Sequence, residues 1–188
     1  DFWRTMATNY VGMNHVIYEL ADEPNGVTWN TALLYYNAVI NVIRSIDTQT
    51  LILVGTTSWS QDIQNPFTTP VANPFNVMYT FHFFAGNHGY LYNLFVEYST
   101  KIPLFVSLVG LSTYDGIGQL NYNVADEFLT LFNGTATSPS ISWVIFSFGD
   151  GAALFTVTDG VDKNSLFQQG ACLNSDWTGS MSCSGVYV

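Results

Sequence analysis

The sequence predicts an α/β fold, a partial (β/α)8 barrel, and three observations carry that prediction. Short continuous apolar runs recur along the chain, at 15–20, 51–56, 77–82, 102–107 and 142–148. Helical patterns separate them. The first run leads straight into Ala21-Asp22-Glu23-Pro24-Asn25-Gly26, a pair of carboxylates, a proline and a turn. Strands buried on both faces of a parallel sheet read as continuous apolar segments, and βα barrels present reactive groups at the carboxyl ends of their strands.

Each element has its own warrant. Residues 2–10 read as a helix that feeds the first strand. Residues 31–46 place apolar side chains at 33, 34, 36, 39, 40, 43 and 46, a helical stripe. Segments 89–98 and 124–132 read as helices between the later strands. Apolar strands spaced by helices argue for parallel pairing through βα units. Five strands do not close a barrel of eight, which takes about 250 residues. An open five-strand sheet is physically possible; read as a barrel, the chain is its second part, and its edges need cover from upstream strands or another chain, unless the fold has become something smaller. Residues 1–158 form the βα units, and 159–188, rich in Gly, Ser, Asp and Asn, form an irregular closing tail. No repeat is evident beyond the βα alternation.

The composition narrows the partners. The 188 residues suffice for one domain with a sizeable core, and 48% hydrophobic with 16% aromatic content predicts that the chain folds. Only 10% of residues are charged, against roughly 25% in ordinary domains. Four basic residues against fourteen acidic ones give a net charge of −10. Phosphate recognition needs clustered Lys and Arg, so nucleic acid and anionic membrane are excluded as partners. A neutral, aromatic-rich surface fits burial against a partner or a carbohydrate. No run reaches the roughly 18 apolar residues of a membrane span. No signal peptide is visible, and the opening Asp1-Phe2-Trp3 reads as a mature or trimmed start. Cys172 and Cys183 suit one local disulfide, which implies secretion; metal ligation by the pair is the weaker reading, since no His lies nearby. Asn133-Gly134-Thr135 is a glycosylation sequon.

Five ordered segments resemble the fourth to eighth strands of glycoside hydrolase family 5, the cellulase family. They are 16–26 with Glu-Pro, 51–62 with Trp59-Ser60-Gln61-Asp62, 76–89 with His82-Phe83-Phe84-Ala85-Gly86-Asn87-His88-Gly89, 102–110, and 141–154. The resemblance implies a retaining glycosidase. In such enzymes one carboxyl protonates the leaving oxygen and a second, about 5–5.5 Å away, attacks the anomeric carbon. Residue by residue, the resemblance assigns the acid/base to Glu23 and the family's preceding Asn to Asp22. The family's site His falls on His82 and its nearby Tyr on Phe84. The nucleophilic Glu falls on Leu108 and the Trp after it on Val109. The Asn-Trp pair of the eighth strand falls on Ile145 and Phe146.

The departures share one direction: each removes a polar group and roughly keeps the volume. Such swaps are well tolerated in a core. The expected function is thus a secreted, cellulase-like domain related to β-glucan, catalytically silent, kept for glucan binding or for extracellular assembly. The alternative is an active retaining endo-β-1,4-glucanase, hydrolysing O-glycosyl bonds, whose gene encodes Glu at position 108 and further strands upstream. A cellulose-type polysaccharide is the expected partner, with self-association or a strand-supplying chain beside it. Trp59 reads either as a sugar-stacking aromatic or as a packed loop residue. His82 with His88 has neither a cysteine nor a third ligand nearby, so no metal or cofactor is expected. Tyr90, Tyr92, Tyr98, Tyr114 and Tyr122 form a candidate interaction set.

Overall fold

The first helix, α1 (Phe2–Tyr10), buries only Ala7 fully and is followed by a turn. Strand β1 (Tyr18–Glu19) is short, but the Leu20 amide extends its pairing by donating to the Leu53 carbonyl at 3.0 Å. The remaining strands are β2 (Ile52–Gly55), β3 (Val77–Phe84), β4 (Leu104–Gly110) and β5 (Trp143–Ile145). Between them lie α2 (Trp29–Arg44), two short segments α3 (Thr57–Ser60) and α4 (Gln64–Thr68), α5 (Tyr92–Tyr98), preceded by a 3-10 turn at Gly89–Leu91, and α6 (Tyr122–Phe132). The computed structural model describes residues 1–115, 118, 120–134 and 139–146.

The strands are ordered β1-β2-β3-β4-β5, so sequence order equals spatial order. The pairings β1–β2, β2–β3 and β4–β5 are parallel. This is the α/β architecture of successive βα units in a (β/α)8 fold. All five predicted strands and four predicted helices are present. The boundaries moved: β3 and β4 run on to Phe84 and Gly110, while β1 and β5 are shorter than their apolar runs. No helix of the described residues is long and apolar enough to cross a membrane.

The chain divides into two compact units. The first holds Asp1–Phe81 and Leu94–Phe105; the second holds His82–Asn93 and the described residues from Val106 onward. In the first, α2 starts at Thr28, whose side chain accepts from the Thr31 amide, an N-cap. Its buried face is Trp29, Ala32, Tyr36, Ile40 and Ile43. The predicted stripe was right at 36, 40 and 43 and wrong at 34, which is 74% exposed. Trp29 and Ala32 take the first turn of the core face because the helix begins at Trp29, two residues before the predicted segment and four before its first apolar position. Phe81 packs on Phe95 with ring centroids 4.8 Å apart.

In the second unit, Phe83 stacks on Phe128 at 4.2 Å, and Tyr92 meets Phe128 edge-on. Phe83 and Phe81 belong to one face of β3, leaving His82 and Phe84 on the other, as the two-residue period of a strand requires. The register of β4 against β5 shifts between Val106 and Val109, a bulge beside Leu108. The predicted tail of residues 159–188, with Cys172 and Cys183, lies outside the described residues, as does Thr135 of the sequon.

Candidate functional site

In the first unit the site begins at Gly55, the last residue of β2. A Cβ there would overlap the Ala21 carbonyl oxygen and come within 2.9 Å of Pro24 Cδ. Only glycine lets the Ala21–Pro24 backbone lie against the strand end. Two tyrosines of α2 fix the same region. Tyr35 donates to the Leu20 carbonyl at 3.2 Å and Tyr36 to the Gly55 carbonyl at 2.7 Å. Burial first, then the neighbouring Tyr35 and Glu19, pushes the Tyr36 phenol well above its ordinary pKa, so it stays a donor.

Glu23 follows, with a φ of 46°. That is the left-handed region, sparsely used by non-glycine residues, and a residue before proline is normally extended. Strained backbone of this kind gathers at functional sites. Asp22 is exposed beside it, and one carboxylate oxygen each of Asp22 and Glu19 lie within 4.8 Å of one another. Glu19, the last residue of β1, was not singled out from the sequence.

Trp59 sits in a more unusual setting. Ser58, Trp59 and Ser60 have φ values of 56°, 56° and 57°, so α3 is a left-handed turn. Left-handed helix costs roughly 1–2 kcal/mol per residue. A hydrogen-bond cluster offsets it. Asp62 Oδ2 accepts from the Ser58 hydroxyl at 2.6 Å and from the Thr57 hydroxyl at 3.0 Å. The Ser60 hydroxyl accepts from Thr80 at 3.0 Å, and Thr56 donates to the Thr80 carbonyl at 3.1 Å. The result is a rigid turn that leaves Trp59 52% exposed. The sequence shows the hydroxyls and the aspartate but has no signal for a left-handed turn at three non-glycine residues.

In the second unit His82 is buried, and its Nε2 lies 2.8 Å from Ser107 Oγ. Ser107 was not anticipated as a partner. One residue on, Leu108 is 5% exposed and packs with Phe84 in one apolar cluster. Phe146 is exposed and meets Phe84 edge-on at 6.4 Å. Ile145 pairs with Val109. The positions that the resemblance assigns to nucleophile and tyrosine thus hold two hydrocarbon side chains in mutual contact. His88 Nδ1 accepts from the Phe84 amide at 3.0 Å, and its ring packs on Phe84 and Tyr90. That lone pair anchors a loop. Asn133 is exposed just past the end of α6, while Tyr90, Tyr114 and Tyr122 are also exposed.

The family profile of the cellulases (glycosyl hydrolase family 5) matches residues 1–151. Endoglucanase E-5 of Thermobifida fusca is 34% identical over 197 aligned residues, covering all of this chain and 39% of that protein. The crystal structure of the catalytic domain of Thermobifida fusca endoglucanase Cel5A (E5) superimposes with a TM-score of 0.73 at 33% identity, over 79% of this chain and 50% of that one. A variant of that domain in complex with cellotetraose gives 0.72 at 33% identity, over 80% and 52%. The chain therefore spans about two fifths of that curated relative and about half of the solved chains. With the profile matched over most of its length, the chain belongs to the cellulase family, glycosyl hydrolase family 5.

Proposed function

We propose that this domain descends from a β-1,4-glucanase and binds β-glucan without cleaving it. The observation that supports the reading is the packing of Leu108 on Phe84. Retaining hydrolysis needs a carboxylate to attack the anomeric carbon after the acid has protonated the leaving oxygen. A leucine has no electron pair to offer. Glu23 alone can donate a proton, and general acid catalysis by itself contributes only about 10²–10⁴-fold. Without a nucleophile no glycosyl intermediate forms and the double displacement stops at its first step.

Binding needs less. Trp59, half-exposed on its turn, offers a flat face to a sugar ring, and the exposed Asp22, next to Glu23, brings carboxylate oxygens that accept hydrogen bonds. The cellotetraose complex of the related Thermobifida fusca domain supports a β-glucan as the ligand class. Secretion, a Cys172–Cys183 disulfide and a glycan on Asn133 belong to the same proposal. A role in assembly draws support from the edge position of β1 and from Phe2, Val11, Ile17, Leu34 and Tyr35, all exposed. Further βα units, from this protein or another chain, fit that edge.

A second reading, an active endoglucanase, is favoured by one observation: Glu23 keeps a strained backbone at the position assigned to the acid. The experiment that separates the readings is incubation of the full-length gene product with soluble carboxymethylcellulose. The silent reading expects binding in affinity gels without reducing-sugar release. Sugar release that is lost in Glu23→Gln establishes the enzyme instead.

A further inference from the structure

The chain contains two Asn-Gly pairs, Asn25-Gly26 and Asn133-Gly134. The first directly follows Glu23-Pro24. We propose that Asn25 is a self-modification site, which the fold leaves free to convert to aspartate and isoaspartate with water as the co-reactant. The proposal is independent of whether the domain binds or cleaves glucan.

The chemistry needs only the pair itself. A glycine after asparagine has no side chain to obstruct its own backbone nitrogen. On losing its proton, the Gly26 nitrogen attacks Asn25 Cγ. The new N–Cγ bond closes a succinimide ring. The Cγ–Nδ2 bond breaks, and Nδ2 leaves as ammonia, taking up the proton that Gly26 released. Water then opens the ring at either carbonyl. Cleavage of the N–Cγ bond gives aspartate in the normal main chain. Cleavage at the Asn25 main-chain carbonyl gives isoaspartate, with the main chain rerouted through Cγ.

The fold treats the two pairs differently. Asn25 and Gly26 are exposed, as are Val27 and Thr28 after them, and the pair lies outside every helix and strand. Gly26 has a φ of 71°, and a Cβ built there would meet nothing within 4 Å, so ring closure has room. Among the described residues the Gly26 N–H has no backbone partner. Asn133 instead caps α6 with helical φ and ψ of −66° and −16°, and its N–H donates to the Leu129 carbonyl. The Gly134 N–H donates to the Leu131 carbonyl at 3.0 Å. That nitrogen must be released by local opening before it attacks.

The products change the loop that carries Glu23. Aspartate adds a carboxylate to the run that already holds Asp22 and Glu23, in a chain of net charge −10. Isoaspartate lengthens the main chain by a methylene. The loop is held at both ends, by Ala21 and Pro24 against Gly55 and by the Thr28 cap of α2. The added length therefore falls on the residues between.

The test is incubation of the whole protein at mildly alkaline pH, folded and in guanidinium chloride, followed by digestion at acid pH and peptide mass spectrometry. Unglycosylated protein is used, because a glycan on Asn133 would block that pair. Asn25 should convert in the folded protein within about threefold of its denatured rate, while Asn133 should be slowed about tenfold or more by the fold. Both isomers should appear at position 25. In Asn25→Gln, which lacks the reactive geometry, the acidic form that ageing produces on anion exchange should be lost. An Asn25 that stays intact in the folded protein, or is as protected as Asn133, overturns the proposal. So does undiminished acidic product in Asn25→Gln.

Discussion

At position 108 a side chain without a lone pair stands where the resemblance assigns a carboxylate. It does so comfortably, 5% exposed against Phe84. Leu108→Glu should therefore cost stability rather than restore activity, by about 3 kcal/mol or more, because an ionised carboxylate would replace a buried apolar contact. Chemical denaturation checks this, and an unchanged midpoint would mean the pocket is more polar than Phe84 makes it. A second residue governs acid behaviour. Asp47 is buried, which pushes its pKa up, but hydrogen bonds from the Thr50 hydroxyl and amide, the Gln49 amide and Tyr18 outweigh that and hold it below the carboxylate range. Its folded pKa is depressed, so its stabilisation is present above about 3.9 and fades as pH falls through the lower folded value. Asp47→Asn should lose about 1–3 kcal/mol at neutral pH and flatten the acid limb of a pH–stability curve; an unaltered acid limb would assign that limb to other groups. Positions 23, 82, 84 and 108 are singled out by the resemblance, because each falls in an ordered motif. The left-handed φ of Glu23 and the Ser107–His82 bond were not, since both arise from tertiary neighbours.

Among the elements, strands and long helices were readable because their apolar periods are strong. The α2 stripe missed the first turn, which the capping Thr28 starts before the apolar pattern does, and it wrongly included the exposed Leu34. The α3 and α4 segments were missed, since they are short and α3 is left-handed. Gly55 is the element-scale weak point. Gly55→Ala would drive a methyl group into the Ala21 carbonyl oxygen and toward Pro24. The segment that carries Glu23 would have to shift. We expect a loss of about 1–3 kcal/mol, in the range of overpacked sites, seen as a lower melting temperature. A melting temperature equal to wild type would show that the Ala21–Pro24 loop yields easily and that Glu23 is not firmly held.

For the molecule as a whole, alternation made the α/β class legible, and the resemblance of five ordered segments to strands four to eight already implied part of a barrel, as the fold and the relatives bear out. The chain spans about half of the solved relatives. The net charge of −10 and the low charged fraction fit a neutral, hydroxyl-rich ligand better than a polyanion. The proposed silence requires that no nucleophile operates in this domain. It is tested most directly by incubating the full-length protein with a 2-deoxy-2-fluoro cellobioside carrying a good leaving group and measuring intact mass. Retaining glycosidases pass through a covalent glycosyl-enzyme intermediate, and the fluorine slows its hydrolysis enough to accumulate. A domain without a working nucleophile keeps an unmodified mass after prolonged incubation. A stoichiometric glycosyl adduct on any carboxylate of this domain would contradict that silence.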